Sequence, residues 1–403
     1  MSDWKEIKLK TLIAEIGDGG TPSTLAEGNF GGEIFWAVVE DVTPEIYSTR
    51  DSLTEKGFKS CSAKLWQPET IILTTGATIG NVGIAKVELC TKQGITGIVC
   101  NEFANNYFLR YWFEANTNQL LRYAQGTTFK EIRSRTLGNL KIKLPNPHTE
   151  ESFREQTAIA AVLSKVDEAI AAVEASVKSA ERLKKALMQN LLTGKLKPNG
   201  EWRGADEFYT DEKFGRVPIG WEARKWGDLI RLEYGRSLNQ SVKSGDIPVF
   251  GTNGQIGFTD KPIYDSNGII VGRKGAYREV HYSEVPFWVI DTAFYVVPRF
   301  DFDLHWAYFA LKQLDINRFD SGSAIPSTNK KDVYFNKVLF PLDLTEQIEI
   351  TNHFKRLNTI LETKQTKIQT LQRLKKSLMQ NLLTGKVRVD VEKIERLLAE
   401  TND

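Results

Sequence analysis

The sequence predicts an α+β fold in which two α/β domains are joined by a pair of long antiparallel helices, an intramolecular coiled coil with pseudo-two-fold symmetry. Three observations predict this architecture. One segment of the chain occurs twice, a heptad pattern of apolar residues accompanies both copies, and the regions between them are rich in short β-like runs. With 403 residues the chain also exceeds one ordinary domain, which holds about 100–200 residues.

The repeat is the strongest of these signals. Residues 183–195 read LKKALMQNLLTGK and residues 374–386 read LKKSLMQNLLTGK, at an offset of 374 − 183 = 191. The same offset aligns Glu155-Gln156 with Glu346-Gln347. The chain is therefore predicted to be a duplicated two-part unit.

Each repeated segment is predicted to form one long helix. The helices can begin at Ser152 and Asp343, because a glutamate follows each of them at the spacing of a capping box. Gly194 and Gly385 stand where a left-handed glycine would end them. Neither segment contains Pro or Gly between these limits, so each helix would hold about 40 residues and span about 60 Å.

Both helices carry two rows of apolar residues with a period of seven, typical of a coiled coil. The open alternative is that each helix packs only on its own domain. Lys184 and Lys375 interrupt the same row at matched places, either as core lysines that reach solvent or where the seam turns toward a partner subunit. The predicted packing residues are Ile159, Leu163, Val166, Ile170, Val173, Val177, Leu187 and Leu191 in the first helix, and Ile350, Phe354, Leu357, Leu361, Ile368, Leu371, Leu378 and Leu382 in the second.

The predicted boundaries follow from these helices. Two variable domains with alternating Gly and β-branched residues, mainly antiparallel, flank the first helix. The C-terminal tail has Val391, Ile394, Leu397 and Leu398 on one helical face. The resulting division is 1–148 for the first domain, 149–194 for the first helix, 195–342 for a connecting segment and the second domain, 343–386 for the second helix, and 387–403 for a short C-terminal helix.

The composition and the absence of catalytic motifs indicate that this chain is not an enzyme. The formal charge is only 53 − 51 = +2, and the sequence contains no GxxxxGK[ST], HExxH, GxSxG or [DNS]PP[YFW] string. The 4 histidines are scattered and the 3 cysteines form no CxxC pair, so we expect no metal site, no cofactor and a reducing compartment. No apolar stretch suits a membrane helix or a signal peptide, and the cytoplasm is the expected location.

Local features favour nucleic acid instead. Basic and polar loops occur in both variable domains, although neither domain is basic as a whole. Arg and Lys contact phosphates and guanine, Asn contacts adenine, and Ser and Thr contact either base edges or phosphates. The candidate DNA-binding residues are Thr74, Thr75, Thr78, Thr127, Thr128, Lys130, Arg133 and Arg135 in the first domain, and Arg236, Asn253, Arg273, Lys274, Tyr277, Arg278, Ser323, Ser327, Asn329 and Lys330 in the second.

The order of the parts resembles a known family. A variable domain and a long helix ending in LMQNLLTGK occur twice, each helix starts with Glu-Gln after a proline, and PIGW (218–221) opens the second domain. This arrangement is similar to the specificity subunit of type I restriction-modification systems (HsdS family), and the resemblance covers the entire chain.

The resemblance implies a division of labour. Each variable domain would be a target-recognition domain that reads one half of a bipartite, asymmetric site in double-stranded DNA. The helices would set the spacer and dock two modification (methyltransferase) subunits, which use S-adenosylmethionine to methylate adenine. Two restriction subunits with translocase and nuclease activity, using ATP and Mg, can join them, and this chain would be a non-catalytic recognition subunit.

Two other classes of function stay open from the residues alone. The chain could be a protein-interaction scaffold with two adaptor heads on a coiled coil, because such a protein would have the same helices. It could also be a fused methyltransferase or nuclease, although no cofactor-binding motif supports that interpretation.

Overall fold

The computed structural model describes residues 4–76, 78–125, 130–238, 245–319 and 326–400. The chain divides into two compact units. Unit 1 comprises residues 1–174 and 366–403, and unit 2 comprises residues 175–365. Each unit therefore combines one variable domain with a segment of both long helices, and the predicted mixed α+β fold class is confirmed.

The variable domain of unit 1, hereafter the first head, is a mainly antiparallel structure. It has a five-stranded sheet of order β2-β9-β6-β7-β4, a three-stranded sheet of order β5-β3-β8 and the pair β1-β10. Its strands are β1 (Trp4–Lys8), β2 (Ile13–Asp18), β3 (Phe30–Ala37), β4 (Glu45–Ile46), β5 (Asp51–Leu53), β6 (Ile71–Thr74), β7 (Val82–Ala85), β8 (Cys90–Thr91), β9 (Ile95–Cys100) and β10 (Lys141–Pro145). Its helices are α1 (Glu55–Lys59), α2 (Asn106–Ala115), α3 (Thr117–Tyr123) and α4 (Ser134–Gly138).

The variable domain of unit 2, the second head, repeats this plan after the first long helix, α5 (Glu150–Leu191), and a connecting hairpin of β11 (Phe208–Asp211) and β12 (Gly215–Pro218). Its sheets have the orders β14-β20-β17-β18, β16-β15-β19 and β13-β21. The strands are β13 (Trp221–Lys225), β14 (Ile230–Tyr234), β15 (Ile247–Gly251), β16 (Gly254–Thr259), β17 (Gly268–Gly272), β18 (Val280–Ser283), β19 (Trp288–Val289), β20 (Ala293–Pro298) and β21 (Lys337–Pro341). The helices are α6 (Trp226–Leu229), α7 (Leu304–Gln313) and α8 (Lys330–Phe335).

The two heads share strand order and register. The order β2-β9-β6-β7 in the first head corresponds to β14-β20-β17-β18 in the second. In both, the first strand pairs antiparallel with the last, starting from Trp4 opposite Pro145 and from Trp221 opposite Pro341. This pairing places the last strand of each head beside its first strand, and a long helix follows that last strand directly.

The ends of the long helices agree with the sequence in one respect and differ in another. After α5 and α9 (Leu344–Leu382), Gly194 and Gly385 have φ values of 65° and 71°, which confirms them as left-handed caps. Thr149 and Asp343 accept the first backbone amides through their side chains. The expectation that Glu155 and Glu346 complete capping boxes is wrong, because both carboxylates form ion pairs with arginines from distant parts of the chain.

The glutamates of those ion pairs are equivalent positions of the repeat, whereas the arginines are not. In unit 1, Arg388 follows the end of α9 and donates two hydrogen bonds to the buried Glu155, of which the longer measures 2.6 Å. In unit 2, Arg203 follows the end of α5 and pairs with Glu346. The start of each long helix is thus fastened to the segment that follows the other.

Within each unit the segments of α5 and α9 run antiparallel. In unit 1, as α5 advances from Glu155 to Asp167, the residues it contacts go back from Arg388 to Lys375. In unit 2, Lys184 donates to Asn358, while the later Leu191 and Leu192 join a core cluster with the earlier Ile350 and Phe354.

The predicted heptad residues lie on the inner faces of these segments. Eight are buried and the other eight are half-buried, and none is exposed. The buried ones concentrate toward the heads, where Ile159 and Leu163 join the first head's core with Met379 and Leu382. The last helix, α10 (Val391–Glu400), is tied to α5 by a bidentate ion pair in which Arg154 donates to Glu395. Among the described helices, none combines the length and the apolar character needed to cross a membrane.

Candidate nucleic-acid interface

Both heads hold a basic loop against the end of the same central strand. In the first head the Ile132 amide donates to the Thr75 carbonyl after β6, at 2.9 Å. In the second head the Thr328 amide donates to the Arg273 carbonyl after the equivalent strand β17, also at 2.9 Å. These two bonds place the loops that precede α4 and α8 at matched positions, and the predicted DNA-binding residues gather around them.

In the first head, the threonines at this strand end are structural. Thr75 shares a 3.0 Å hydrogen bond with Thr96, whose hydroxyl donates in turn to Asp18 at 2.7 Å. Thr74 accepts from the Asn81 amide at 2.9 Å. Because Thr74 and Thr75 are both buried, they brace the loops and present no hydroxyl to DNA, which corrects their predicted role; Thr78 is exposed beside them.

The predicted basic DNA contacts of the first head point to solvent. Lys130, Arg133 and Arg135 are all exposed, and none makes an ion pair within the residues that the structure describes. Gln125 and Glu131 exchange backbone hydrogen bonds close to these cations in sequence. Thr127 and Thr128 lie outside the described residues. Cations that are exposed and lack protein partners are suited to phosphate oxygens.

In the second head, Arg273 and Lys274 occupy the strand end where the first head has Thr75 and Gly76. Arg273 donates through Nη1 to the Asp291 carbonyl at 3.0 Å, and Lys274 Nζ lies 3.3 Å from Asp291 Oδ2. Thr252 donates to the Lys274 carbonyl at 2.8 Å. These contacts fix the backbone and the direction of both cations, while each side chain stays half-exposed.

Tyr234 organises the cations of the second head and was not predicted from the sequence. The Arg273 guanidinium carbon lies 4.8 Å and Lys330 Nζ lies 4.2 Å from the centre of its half-exposed ring. Cation–π attraction of this kind holds the two positive groups together. The available signal was the sequence Tyr234-Gly235-Arg236 at the end of β14, where a glycine separates an aromatic and a basic residue.

The other predicted residues of the second head fall into three groups. Arg236, Asn253, Asn329 and Tyr277 are exposed, Tyr277 by 78%. Ser327 is half-buried and pairs with the Lys274 backbone, whereas Ser323 lies outside the described residues. The exposed residues supply side-chain groups that can contact base edges or phosphates.

Arg278 does not behave as predicted. It is only 2% exposed, donates through Nη2 to the Asn317 carbonyl at 3.0 Å, and exchanges backbone hydrogen bonds with the Asn317 amide group. A side chain enclosed in this way supports the loop and cannot reach a ligand without unfolding it. The prediction of Arg278 as a DNA contact is therefore corrected to a packing role.

A histidine lies beside the candidate interface of the second head. Burial lowers the pKa of His281, which lies next to the Asn253 loop, so this imidazole is neutral near pH 7 and adds no charge. Within the described ranges, no group of His, Cys, Asp and Glu is placed to hold a metal ion. The arrangement can bind an anionic polymer through cations, amides and an aromatic ring.

Fold and interface together define a class: an internally duplicated protein with two structurally equivalent heads, each presenting different basic and polar loops on a shared framework. Comparison with known proteins identifies the family. The sequence profile of the "Type I restriction modification DNA specificity domain" matches residues 1–181 and 218–373, and the chain belongs to this family.

Individual relatives are similar over different lengths. The chain is 33% identical over 244 residues to the type I restriction enzyme MjaIX specificity subunit of Methanocaldococcus jannaschii, a match that covers 59% of this chain and 54% of that protein. It is 23% identical over 387 residues to the EcoprrI specificity subunit of Escherichia coli, covering 92% and 90%. The chain thus spans about half the length of its more identical relative.

A solved structure has the same fold. The crystal structure of the type I restriction-modification system S subunit from M. genitalium superposes with a TM-score of 0.62 at 17% identity, covering 94% of this chain and 96% of that one. At this identity the likeness concerns the fold, which it supports over the 94% of the chain that is aligned.

Proposed function

We propose that this chain is the DNA sequence-specificity subunit of a type I restriction-modification complex, and that each head reads one half of a bipartite, asymmetric DNA site. One observation carries the proposal. The same framework bond, from Ile132 to Thr75 and from Thr328 to Arg273, holds loops with different side chains in the two heads. Equivalent supports with different reading groups are what recognition of two different half-sequences requires.

The distribution of charge supports a shared binding task. The predicted DNA-binding cations lie on or next to loops of the two heads, and the chain carries a formal charge of only +2. A protein that bound DNA tightly by itself would be more basic. Partner subunits therefore supply much of the phosphate-binding charge, while this chain supplies the sequence reading.

The long helices are proposed to dock two modification subunits and to set the spacer between the half-sites. Leu183 and Leu374, which are equivalent positions of the near-identical repeat, are 50% and 46% exposed. Exposed leucines at matched places suit two copies of one protein partner. In this assembly the modification subunits carry S-adenosylmethionine and methylate adenine, restriction subunits that use ATP and Mg can join, and this chain catalyses no step.

We place the complex in the cytoplasm, where its DNA substrate would be. The three cysteines support this location because all are free thiols in the structure. Burial raises the pKa of Cys90 and Cys100 to about 12, so neither forms a reactive thiolate near neutral pH.

The decisive experiment is methylome sequencing of a host that expresses this chain with its modification subunit. We expect a two-part asymmetric methylated motif. Arg273→Ala should relax a single position in one half of the motif, at a cost of about 1–3 kcal/mol if Arg273 contacts a base. Arg216→Ala, which removes an exposed arginine of the connecting hairpin, should leave the motif unchanged.

The result also separates the proposal from a scaffold without DNA-binding function. A scaffold would give no methylated motif that depends on this chain. Relaxation of both halves by Arg273→Ala would contradict the assignment of one half to each head.

The spacer role has its own test. Removing seven residues from both helices, starting at Val173 and at the equivalent Lys364, preserves the heptad phase of each. We expect the two half-sequences to persist while the preferred distance between them changes. Methylation of a target series with different spacers measures that distance, and an unchanged preference would contradict the spacer role.

A further inference from the structure

Each unit contains a pocket at the same place in the duplicated plan. Both pockets are lined by the Lys-Lys-x-x-Met-Gln stretch of the repeat, residues 375–380 in unit 1 and 184–189 in unit 2. Ile170 and Leu361, also 191 positions apart, form the opposite wall. The volumes are about 500 Å³ in unit 1 and about 580 Å³ in unit 2. The two pockets are therefore equivalent in their place in the repeat and similar in volume.

In unit 1 the chain fills its own pocket with opposite charge. Lys375 Nζ lies 2.6 Å from Glu114 Oε1 and 2.8 Å from Asp167 Oδ1. Arg110 lies 3.5 Å from each of these carboxylates. Two cations face two carboxylates, so the cluster is neutral.

In unit 2 each equivalent of these charged groups except the lysine has changed. Asn358 replaces Asp167, and at the matching positions of the head helices Lys312 and Tyr308 replace Glu114 and Arg110. Lys184 Nζ is 2.6 Å from Asn358 Oδ1, and no carboxylate of the described residues lies within 4 Å of it. The lysine thus changes from two direct carboxylate contacts in unit 1 to an amide oxygen in unit 2, where Glu181 lines the pocket without an ion pair to it.

This arrangement is unfavourable for the isolated chain. Burial lowers the pKa of the half-buried Lys184, the positive charge of Lys312 adds to that effect, and Glu181 and Glu362 oppose it. A lysine held in a pocket without a carboxylate in direct contact is the electrostatic complement of an external anion. The unit 1 pocket shows which anion fits, since there two carboxylates bind the equivalent lysine.

We propose that the unit 2 pocket binds a side-chain carboxylate from an acidic segment of a modification subunit, with Lys184 as the cation that holds it. This proposal rests on the proposed function. The apolar walls formed by Met188 and Leu361 favour an Asp or Glu side chain with its methylene groups over a DNA phosphate, which is polar on all sides. In the unit 1 pocket two carboxylates of the chain already engage the equivalent lysine, so that pocket excludes such a group and the two docking places differ.

The experiment measures the amine reactivity of individual lysines in the full chain by covalent labelling and mass spectrometry. In the free protein we expect Lys184 to be labelled several-fold faster than Lys375, which is engaged by two carboxylates. Adding a modification subunit, or acetylated hexaglutamate amide as a simple carboxylate probe, should reduce labelling of Lys184 several-fold. Double-stranded DNA alone should not.

Two matched variants sharpen the result. Asn358→Asp supplies the internal carboxylate of unit 1, so Lys184 labelling should be low without any ligand and hexaglutamate should change it no further. Asp167→Asn is the control in unit 1, where Glu114 still engages Lys375 and hexaglutamate should have no effect. Binding of the modification subunit should weaken in Asn358→Asp and stay unchanged in Asp167→Asn.

The outcomes separate this inference from the proposed function. Equal protection of Lys184 and Lys375 by hexaglutamate, or protection of Lys184 by DNA alone, would overturn the inference. So would full-affinity binding of the modification subunit to Asn358→Asp. If the modification subunit fails to bind the wild-type chain, the proposed function fails, and the hexaglutamate result still decides whether Lys184 is a carboxylate site.

Discussion

The two heads carry different side chains at a position where their backbones form the same hydrogen bond. The first head has two buried threonines at the end of β6, and its predicted DNA-binding cations lie at and before the start of α4. The second head has Arg273 and Lys274 at the end of β17. The backbone bond that joins strand and loop is the same in both, at 2.9 Å. Side chains can therefore diverge at this position without loss of the support, because the support is made by the backbone.

The residues that fasten each head to a long helix show the opposite behaviour. Gln156 accepts from the Asn105 amide at 3.0 Å, and Gln347 accepts from the Asp303 amide at 2.8 Å, at the start of α2 and α7. Each glutamine also donates to a carbonyl of its head. Side chains that satisfy buried backbone groups are retained between the halves, since any other residue would leave those groups unpaired.

The largest effect should come from the ion pair in unit 2. Arg203 and Glu346 are both largely buried, and Trp221 Nε1 donates to the same carboxylate at 2.9 Å. Arg203→Met leaves that carboxylate without its cation, and we expect unit 2 to lose about 3–5 kcal/mol of its free energy of unfolding. Hydrogen exchange followed by mass spectrometry measures the loss in unit 2 separately from unit 1.

The equivalent change in unit 1 sharpens the comparison. Arg388→Met should cost less than Arg203→Met, because Arg388 is half-exposed and solvent screens its attraction to Glu155. Equal losses in the two units would show that exposure of the arginine does not control the strength of this contact.

The second largest effect tests whether the glutamines are equivalent. Gln156→Leu and Gln347→Leu each leave a buried amide and a buried carbonyl without partners, so each should cost about 1–3 kcal/mol in its own unit. Chemical denaturation combined with hydrogen exchange gives both values. A loss confined to one of the two variants would contradict the equivalence of the two helix starts.

Much of the framework of long helices could be predicted from the sequence, because the spacing of residues within the repeat determines it. Gly194 and Gly385 adopt the left-handed conformation that ends a helix, and the heptad rows face inward in both units. These features depend on residues a few positions apart, for which spacing is a sufficient guide.

The features that could not be predicted depend on distant parts of the chain. Glu155 stands at the spacing of a capping box, yet it pairs with Arg388, 233 positions away. Arg278 is a charged residue, predicted from the sequence to contact DNA, but its side chain is buried and donates to Asn317. Tyr234 gains its role only when β14, β17 and α8 bring Arg273 and Lys330 to its ring. A single sequence does not encode such pairings in any local pattern.

A smaller effect should follow when Tyr234 is changed. Tyr234→Leu removes the ring that holds two cations, and we expect the assembled complex to lose about 0.5–1 kcal/mol of DNA-binding free energy per cation–π contact. The loss should appear with targets that contain the half-site of the second head, and single changes in the other half-site should be discriminated as before. Tyr209→Leu, which changes a tyrosine of the connecting hairpin, serves as the control for general effects on unit 2.

The smallest effect on stability should come from the exposed leucines of the repeat. Leu183→Gln and Leu374→Gln change half-exposed side chains, so each should alter the free energy of unfolding by about 0.5 kcal/mol or less. If these leucines dock the two modification subunits, each variant should nevertheless weaken the binding of one subunit and leave the other in place. Mass photometry counts bound subunits directly, and a double variant that still binds two of them with unchanged affinity would show that docking uses another surface.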